Sequence, residues 1–183
     1  MARWAVLIDG GYLNKILESE HDKAHLHYGL LSDHVCSGAD RLRTYYYHCM
    51  PYQSNPPTPE EQQRYRAMSQ FKYNLEKLPR FLFRQGKLQK IGNTFRQKRV
   101  DILIAVDLVR LSSTHQIDTA VLFTGDSDMV PAIEVAKDEG VVVQLYYSPN
   151  AVHDELLKAC DERFEITRAM IDGWKMPPVA PSS

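Results

Sequence analysis

Short apolar runs alternate with longer segments of mixed character along most of the chain. Several of these runs, such as 120–124, contain no regular polar alternation, which is typical of strands that are buried on both faces. An aromatic-rich run at 43–50 and an alternating run from residue 81 have the composition of further strands. Strands are predicted at residues 4–8, 43–50, 81–88 (continuing as a ribbon to about 95), 120–124, 141–147 and 164–166.

Helices are predicted between these strands, where apolar residues recur every three or four positions. The predicted helices span residues 12–20, 60–77, 99–111, 129–139 and 152–160. Strands that alternate with helices form a parallel sheet with helices on both faces, because each connection must cross over the sheet. The pattern therefore predicts an α/β fold of this kind.

Length and composition favour one globular domain. The chain has 183 residues, of which 44% are hydrophobic and 25% charged, so extensive disorder is excluded. We expect a single domain over residues 1–172, with a Pro-rich loop and a basic insertion within 50–99 and a flexible tail at 173–183. No apolar run is long enough to cross a membrane, no signal peptide is recognisable, and the three cysteines form no CxxC pattern. A cytoplasmic protein is expected.

Positive charge is concentrated in one part of the chain. The formal net charge is −1, yet residues 72–99 carry +8 and the remainder carries −9. A basic stretch beside an acidic body indicates a local anionic partner, which is commonly nucleic acid. A solvated surface element is the alternative interpretation of the same charges.

Carboxylates follow two of the predicted buried strands. Asp9 comes directly after the first strand, and Asp126 and Asp128 follow the strand at 120–124. In open parallel sheets the ligand lies beyond the carboxyl ends of the strands, so these side chains are expected to meet at one edge. Asp101, in the first turn of its helix, is expected to join them there.

The carboxylates in such a cluster repel one another, so their negative charge must be reduced or neutralised. Two unit charges roughly 4 Å apart repel one another by about 4 kcal/mol at an effective dielectric constant near 20. The cluster persists only if some of the carboxylates are protonated or a cation neutralises them. Oxygen-only ligation favours Mg²⁺ or Mn²⁺ over zinc. Helix capping by Asp126 or Asp128, and a helix-dipole role for Asp101, remain open alternatives. Asp107 lies about 240° around the helix from Asp101, so the two need not share a helix face. It is therefore a weaker candidate for the carboxylate cluster.

Blocks of sequence around these aspartates resemble the NYN family of PIN-like nucleases, in its bacterial type. The order and spacing match from about residue 3 to 168, and the matching blocks are Ile8–Tyr12, Gln97–Asp107, Leu122–Pro131 and Leu156–Phe164. The resemblance implies a PIN-like (Rossmannoid) sheet and an acidic site that holds divalent metal. By that resemblance, the catalytic residues and metal ligands are Asp9, Asp101, Asp126 and Asp128.

The activity implied by the resemblance is endonucleolytic cleavage of RNA, by an endoribonuclease that depends on Mg²⁺ or Mn²⁺. In this interpretation Thr124 and Ser127 donate hydrogen bonds to a ligand oxygen or to the scissile phosphate, and Lys98 and Arg99 bind flanking phosphates. The expected partner is single-stranded RNA, no membrane partner is expected, and DNA as substrate and a homodimer are left open.

One position departs from the family pattern. Many NYN domains have Asn three residues after the first Asp, but this chain has Tyr12, and the nearest Asn is Asn14. The departure leaves a second function open, that of a catalytically weak RNA-binding or regulatory interaction module of the same fold. An aspartyl phosphatase with Asp9 as nucleophile would require a second Asp where Gly11 stands.

Overall fold

In the part of the chain that the structure describes, seven strands form one sheet, and among them only the fourth strand is antiparallel to its neighbour. The computed structural model describes residues 2–92 and 94–177, without the side chains of 88–91 and 94–98. The strands are β1 (Arg3–Asp9), β2 (Asp40–Cys49), β3 (Phe81–Ile91), β4 (Thr94–Lys98), β5 (Thr119–Phe123), β6 (Val142–Tyr147) and β7 (Glu162–Glu165). Their order across the sheet is β4-β3-β2-β1-β5-β6-β7, so β1 and β5 are central. The predicted strands are therefore confirmed.

Helices cover both faces of the sheet. They are α1 (Gly10–Glu20), α2 (Tyr28–Val35), α3 (Pro59–Glu76), α4 (Val100–Ser113), α5 (Val130–Asp138), α6 (Asp154–Ala159) and α7 (Arg168–Trp174), with a 3₁₀ turn at Ser127–Met129. Helices α4, α5 and α6 pack on one face, and α1, α2, α3 and α7 pack on the other. The predicted α/β class, with a parallel sheet between two helical layers, is confirmed.

The middle residues of the central strands are apolar because each face of these strands packs against a separate core. Along β1, Ala5 and Leu7 belong to the core beneath α4 and α5, whereas Val6 and Ile8 belong to the opposite core. Every residue of β5 is buried. An apolar run without alternation is thus explained by burial on both sides.

Two helices were not predicted from the sequence. Helix α2 is capped by His27, whose Nδ1 accepts a hydrogen bond from the Leu30 N–H, and histidine is not among the usual capping residues. Helix α7 is capped by Thr167 and buries Trp174 in the core, so it continues past residue 172. Lys175 then forms a β-bridge with Leu26. The single domain and the flexible tail stay predictions, and residues 178–183 lie outside the described part of the chain.

Strands β3 and β4 form an antiparallel ribbon at one edge of the sheet. The parallel pairing of β3 with β2 ends at Cys49 and Gly86, and the ribbon begins with the next pair, Lys87 and Lys98. The ribbon therefore extends past the carboxyl end of β2 and returns the chain to the start of α4. Two cations of the basic segment are paired with acids from elsewhere, Arg80 with Asp40 and Arg84 with Asp107. Within the described residues, no helix has the length and apolar character needed to cross a bilayer.

Candidate functional site

An open cleft of about 920 Å³ lies at the carboxyl edge of the sheet, beyond the ends of β1 and β5. The chain turns from strand to helix at both places, which brings the first turn of α1 and the loop after β5 to the cleft. The first turn of α4 and the loop between β6 and α6 complete it. Its lining residues are Asp9, Gly11, Tyr12, Lys15, Asp101, Thr124, Gly125, Asp126, Asn150, Ala151, Val152 and His153.

Asp9 is both the last residue of β1 and the N-cap of α1. Its Oδ1 accepts a hydrogen bond of 3.1 Å from the Tyr12 N–H. Capping engages one carboxylate oxygen, and the same carboxylate lines the cleft. The capping role and a ligand role are therefore compatible at this residue.

Asp126 is arranged in the same way after β5. Its Oδ1 accepts a hydrogen bond of 2.9 Å from the Asp128 N–H and so caps the 3₁₀ turn, while the Asp126 N–H donates to Thr124 Oγ1 at 3.3 Å. The Thr124 side chain is buried and lines the cleft. The predicted capping alternative is thus confirmed for Asp126, without removing its carboxylate from the site.

The carboxylates are close enough to perturb one another. Burial raises the pKa of Asp9 from 3.8 to about 6, and the negative charges of Asp101 and Asp126 add to that effect. Burial also raises the pKa of Asp101, with further contributions from the charges of Asp126 and Asp128. The structure therefore brings the four predicted aspartates into one electrostatic cluster, although Asp128 is exposed and does not line the cleft.

The donor set fits a hard divalent cation that keeps part of its water shell. No three His, Cys, Asp or Glu side chains in the described part of the chain converge closely enough to hold an ion by themselves. Mg²⁺ usually binds through one or two carboxylates and retains several waters, so convergence of three ligands is not required. Burial is the main cause of the raised pKa of Asp9 and the charges of Asp101 and Asp126 add to it, so a cation in the cleft would favour the ionised carboxylate.

The pKa of Asp9 predicts a pH dependence of stability. A carboxyl whose pKa is higher in the folded state stabilises the fold below its unfolded pKa, and this contribution is lost as pH rises through the folded value. We expect the metal-free protein to lose about 2–3 kcal/mol from this group between pH 4 and about 6, and Asp9→Asn to abolish that loss. Urea unfolding of both proteins in EDTA across this range measures the difference. If the free energy of unfolding changed with pH in the same way for the wild type and Asp9→Asn, the prediction would be contradicted.

Several cleft residues were not predicted from the sequence. Lys15 lies one helical turn after Gly11 and brings a positive charge to the cleft, and Asn150 and His153 come from the loop after β6. No motif marks these three positions, because their place in the cleft depends on how this loop folds back over α1.

Hydrogen bonds between Ser148 and α1 hold that loop in place. The Ser148 N–H donates to the Tyr12 hydroxyl at 3.0 Å, and the Ser148 hydroxyl donates to the Glu20 carboxylate. A Cβ atom at Gly125 would collide with the Ala151 carbonyl oxygen and lie 2.5 Å from the Tyr12 ring. Glycine is therefore needed here because the loop and Tyr12 approach the backbone closely.

The predicted phosphate-binding residues do not all reach the cleft. Thr124 lines it, whereas Ser127 and Arg99 are not among its lining residues. Arg99 is exposed and precedes α4 with φ of 76°, in the left-handed region. Lys98 ends β4, and its side chain lies outside the described part of the structure.

Asp107 and Asn14 lie away from the cleft. The buried Asp107 carboxylate accepts hydrogen bonds from Arg84, Arg110 and the Tyr47 hydroxyl, so it belongs to an ion network between α4 and the sheet. Asn14 approaches His48 Nε2 at 3.3 Å on the other flank of α1. Asn14 therefore does not take the place of the family asparagine. At position 12 itself, the tyrosine ring lies against Gly125 and its hydroxyl accepts the Ser148 N–H.

Comparisons with known proteins agree with this architecture. A family model described as "NYN domain" matches residues 3–167. A crystal structure of a protein of unknown function from Vibrio parahaemolyticus RIMD 2210633 is similar, with a TM-score of 0.66 and 17% sequence identity over 96% of each chain. At this identity the similarity shows the fold alone. No curated protein matches the chain.

Proposed function

Because the chain belongs to the NYN domain family, which is generally nuclease-like, we propose that it is a metal-dependent endoribonuclease. The observation that carries the proposal is the cleft lined by Asp9, Asp101 and Asp126, where burial and the charges of neighbouring carboxylates raise the pKa values of Asp9 and Asp101. A protein tolerates uncompensated carboxylates at such a point when a cation is part of the functional state.

Asp9 and Asp126 would hold Mg²⁺ or Mn²⁺ from the ends of the two central strands, with Asp101 and Asp128 contributing charge from one side. When bound, the ion lowers the pKa of a water nucleophile and polarises the scissile phosphate. The two capping hydrogen bonds fix the carboxylates of Asp9 and Asp126 before any ligand arrives. Because the carboxylates are already held in position, less conformational entropy is lost when the ion binds.

The remaining cleft residues are suited to an anionic substrate. Lys15 places its ammonium group in a cleft whose other charged residues are aspartates, so it would bind a phosphate oxygen and orient the strand. Thr124 and Asn150 offer neutral hydrogen-bonding groups to the same phosphate. We keep Ser127, Lys98 and Arg99 as proposed contacts of the flanking nucleotides, and single-stranded RNA as the proposed substrate.

Cleavage of an end-labelled single-stranded RNA tests the proposal. We expect internal cleavage in Mn²⁺ or Mg²⁺ and no cleavage in EDTA, with the same sequence as DNA and as a duplex showing the substrate preference. An RNA that binds tightly yet stays intact at saturating Mn²⁺ would contradict an endoribonuclease.

A second candidate function is supported by one specific contact. The Tyr12 hydroxyl accepts the Ser148 N–H, and its ring packs at Gly125, so a bulky side chain occupies the place of the family asparagine. This favours a weakly catalytic RNA-binding or regulatory module as the alternative. Binding without cleavage in the same assay would support that alternative.

A further inference from the structure

The loop after β6, residues 148–153, brings two polar side chains to the acidic cleft. Asn150 and His153 both line the cleft and are exposed. No hydrogen bond within the described residues engages either side chain, although His153 is the N-cap of α6. By contrast, His27 at the start of α2 uses its ring to accept a backbone N–H. The side chains of Asn150 and His153 are therefore available to a ligand in the cleft.

The backbone that carries these two side chains is held by hydrogen bonds. Residues 148–151 form a tight turn, in which the Ala151 N–H donates to the Ser148 carbonyl oxygen at 3.0 Å. The Asn150 N–H donates to Ser148 Oγ at 3.2 Å. Further along the loop, the His153 N–H donates to the Gly125 carbonyl oxygen at 3.3 Å. The positions of both cleft side chains are thus fixed through their own backbone.

Ser148 connects this loop to both ends of α1. It is fully buried, and its N–H donates to the hydroxyl of Tyr12, in the first turn of the helix, at 3.0 Å. Its hydroxyl donates to the carboxylate of Glu20, the last residue of the helix, whose two oxygens lie 2.7 and 2.9 Å from Ser148 Oγ. The same Oγ accepts the Asn150 N–H, so one buried hydroxyl links Glu20 to a residue of the cleft.

Glu20 is placed where a negative charge does not favour the helix. Carboxylates are unfavourable at the C-terminus of a helix, and α1 has no basic residue in its last turn. Within the described residues, the contacts of the Glu20 side chain are the hydrogen bonds from Ser148. A charged acceptor forms a stronger hydrogen bond than a neutral one. The position of Glu20 is therefore explained by the loop and not by the helix.

We propose that Glu20 and Ser148 are positioning residues for substrate binding, which hold Asn150 and His153 where their side chains donate to phosphate oxygens of the substrate. This inference rests on the proposed function, because it takes single-stranded RNA as the ligand. The Asn150 amide is a donor, and an imidazole offers at least one N–H in either protonation state. Donors that are held in place before binding lose less conformational entropy when the strand arrives.

The affinity for a fluorescently labelled single-stranded RNA tests the proposal, measured by anisotropy in EDTA and again in Ca²⁺. Glu20→Ala removes a negative charge, so electrostatics alone would strengthen the binding of a polyanion. We expect the opposite result, a weakening of about 3- to 10-fold, because Ser148 loses its acceptor and the loop is no longer held. The direction of the change therefore distinguishes positioning from charge.

Two variants provide the matched controls. Glu18→Ala removes the same charge from an exposed position of the same helix and should bind RNA as tightly as the wild type or slightly more tightly. Glu20→Gln removes the charge but keeps an oxygen that accepts from Ser148, and it should bind at least as tightly as the wild type. Thermal unfolding shows that each variant is folded.

A double-mutant cycle shows whether Glu20 acts through the two cleft side chains. In a protein that carries Asn150→Ala and His153→Ala, the further substitution Glu20→Ala should change RNA affinity by less than about 1.5-fold, because the donors that it positions are already absent. A role of Glu20 in the general stability of the fold would lower the affinity by the same factor in both backgrounds.

Two outcomes would overturn the proposal while leaving the proposed function intact. One is RNA affinity that is unchanged or increased in folded Glu20→Ala, and the other is an equal loss of affinity with and without Asn150 and His153. A wild type that binds the RNA but does not cleave it in Mn²⁺ would contradict the endoribonuclease alone, since the affinities of the variants are measured without cleavage. A wild type with no affinity for the RNA in EDTA and in Ca²⁺ would overturn both.

Discussion

Replacing Asp126 by asparagine is expected to slow metal-dependent RNA cleavage on the order of 100-fold or more. The substitution removes one negative charge where the proposed ion binds, and metal contributions of several kcal/mol correspond to losses of this size. Asparagine caps a turn as well as aspartate does, so the hydrogen bond to the Asp128 N–H is retained and the fold is not expected to change. Single-turnover cleavage in Mn²⁺ measures the rate.

The matched control for this result is Asp154→Asn. Asp154 is an exposed acid in the first turn of α6, directly after the cleft residue His153, but it does not line the cleft. Its replacement removes the same charge nearby and should change the rate by less than about twofold, because exposed charges are screened. Equal cleavage rates for the wild type and Asp126→Asn would contradict the assignment of Asp126 as a metal ligand.

Replacing Asp107 by alanine should lower the free energy of unfolding by roughly 2–4 kcal/mol. Its buried carboxylate accepts hydrogen bonds from Arg84, Arg110 and the buried Tyr47 hydroxyl. Loss of the acceptor leaves these groups without their shared partner, which costs more than the pairs themselves contribute. The lower part of the range applies because both arginine side chains are partly exposed, at 36% and 44%. Urea unfolding at pH 7 measures the change.

Asp138→Ala provides the surface comparison for this variant. Asp138 ends α5 and is exposed, so its replacement should change stability by less than about 0.5 kcal/mol. Full stability of Asp107→Ala combined with lost cleavage would instead make Asp107 a residue of the acidic site.

The layered fold was predictable from the sequence because its central strands are buried on both faces. Residues 120–123 of β5 are all apolar and α4 has a regular apolar face, so the local sequence pattern and the burial in the folded protein agree there. Helix α2 was missed because its start depends on His27 as the cap and its second residue is Gly29. Helix α7 was missed because its main signal, the burial of Trp174, is a tertiary contact.

The acidic cluster was also predictable, because strand ends in a parallel sheet fix where Asp9 and Asp126 lie. The sequence pattern did not show that the Asp128 side chain is exposed or that Arg99 lies outside the cleft. Those outcomes depend on the 3₁₀ turn and on the left-handed residue before α4. Lys15 has no motif, and its place follows from the side of α1 that faces the loop after β6.

A crystal soaked in Mn²⁺ at pH 8 provides the most direct measurement, through the anomalous signal of the ion. The account predicts one or two peaks in the cleft, with carboxylate oxygens of Asp9 and Asp126 about 2.0–2.6 Å from an ion whose remaining ligands are mainly water. An empty cleft at saturating Mn²⁺, or an ion bound only at other carboxylates, would contradict it.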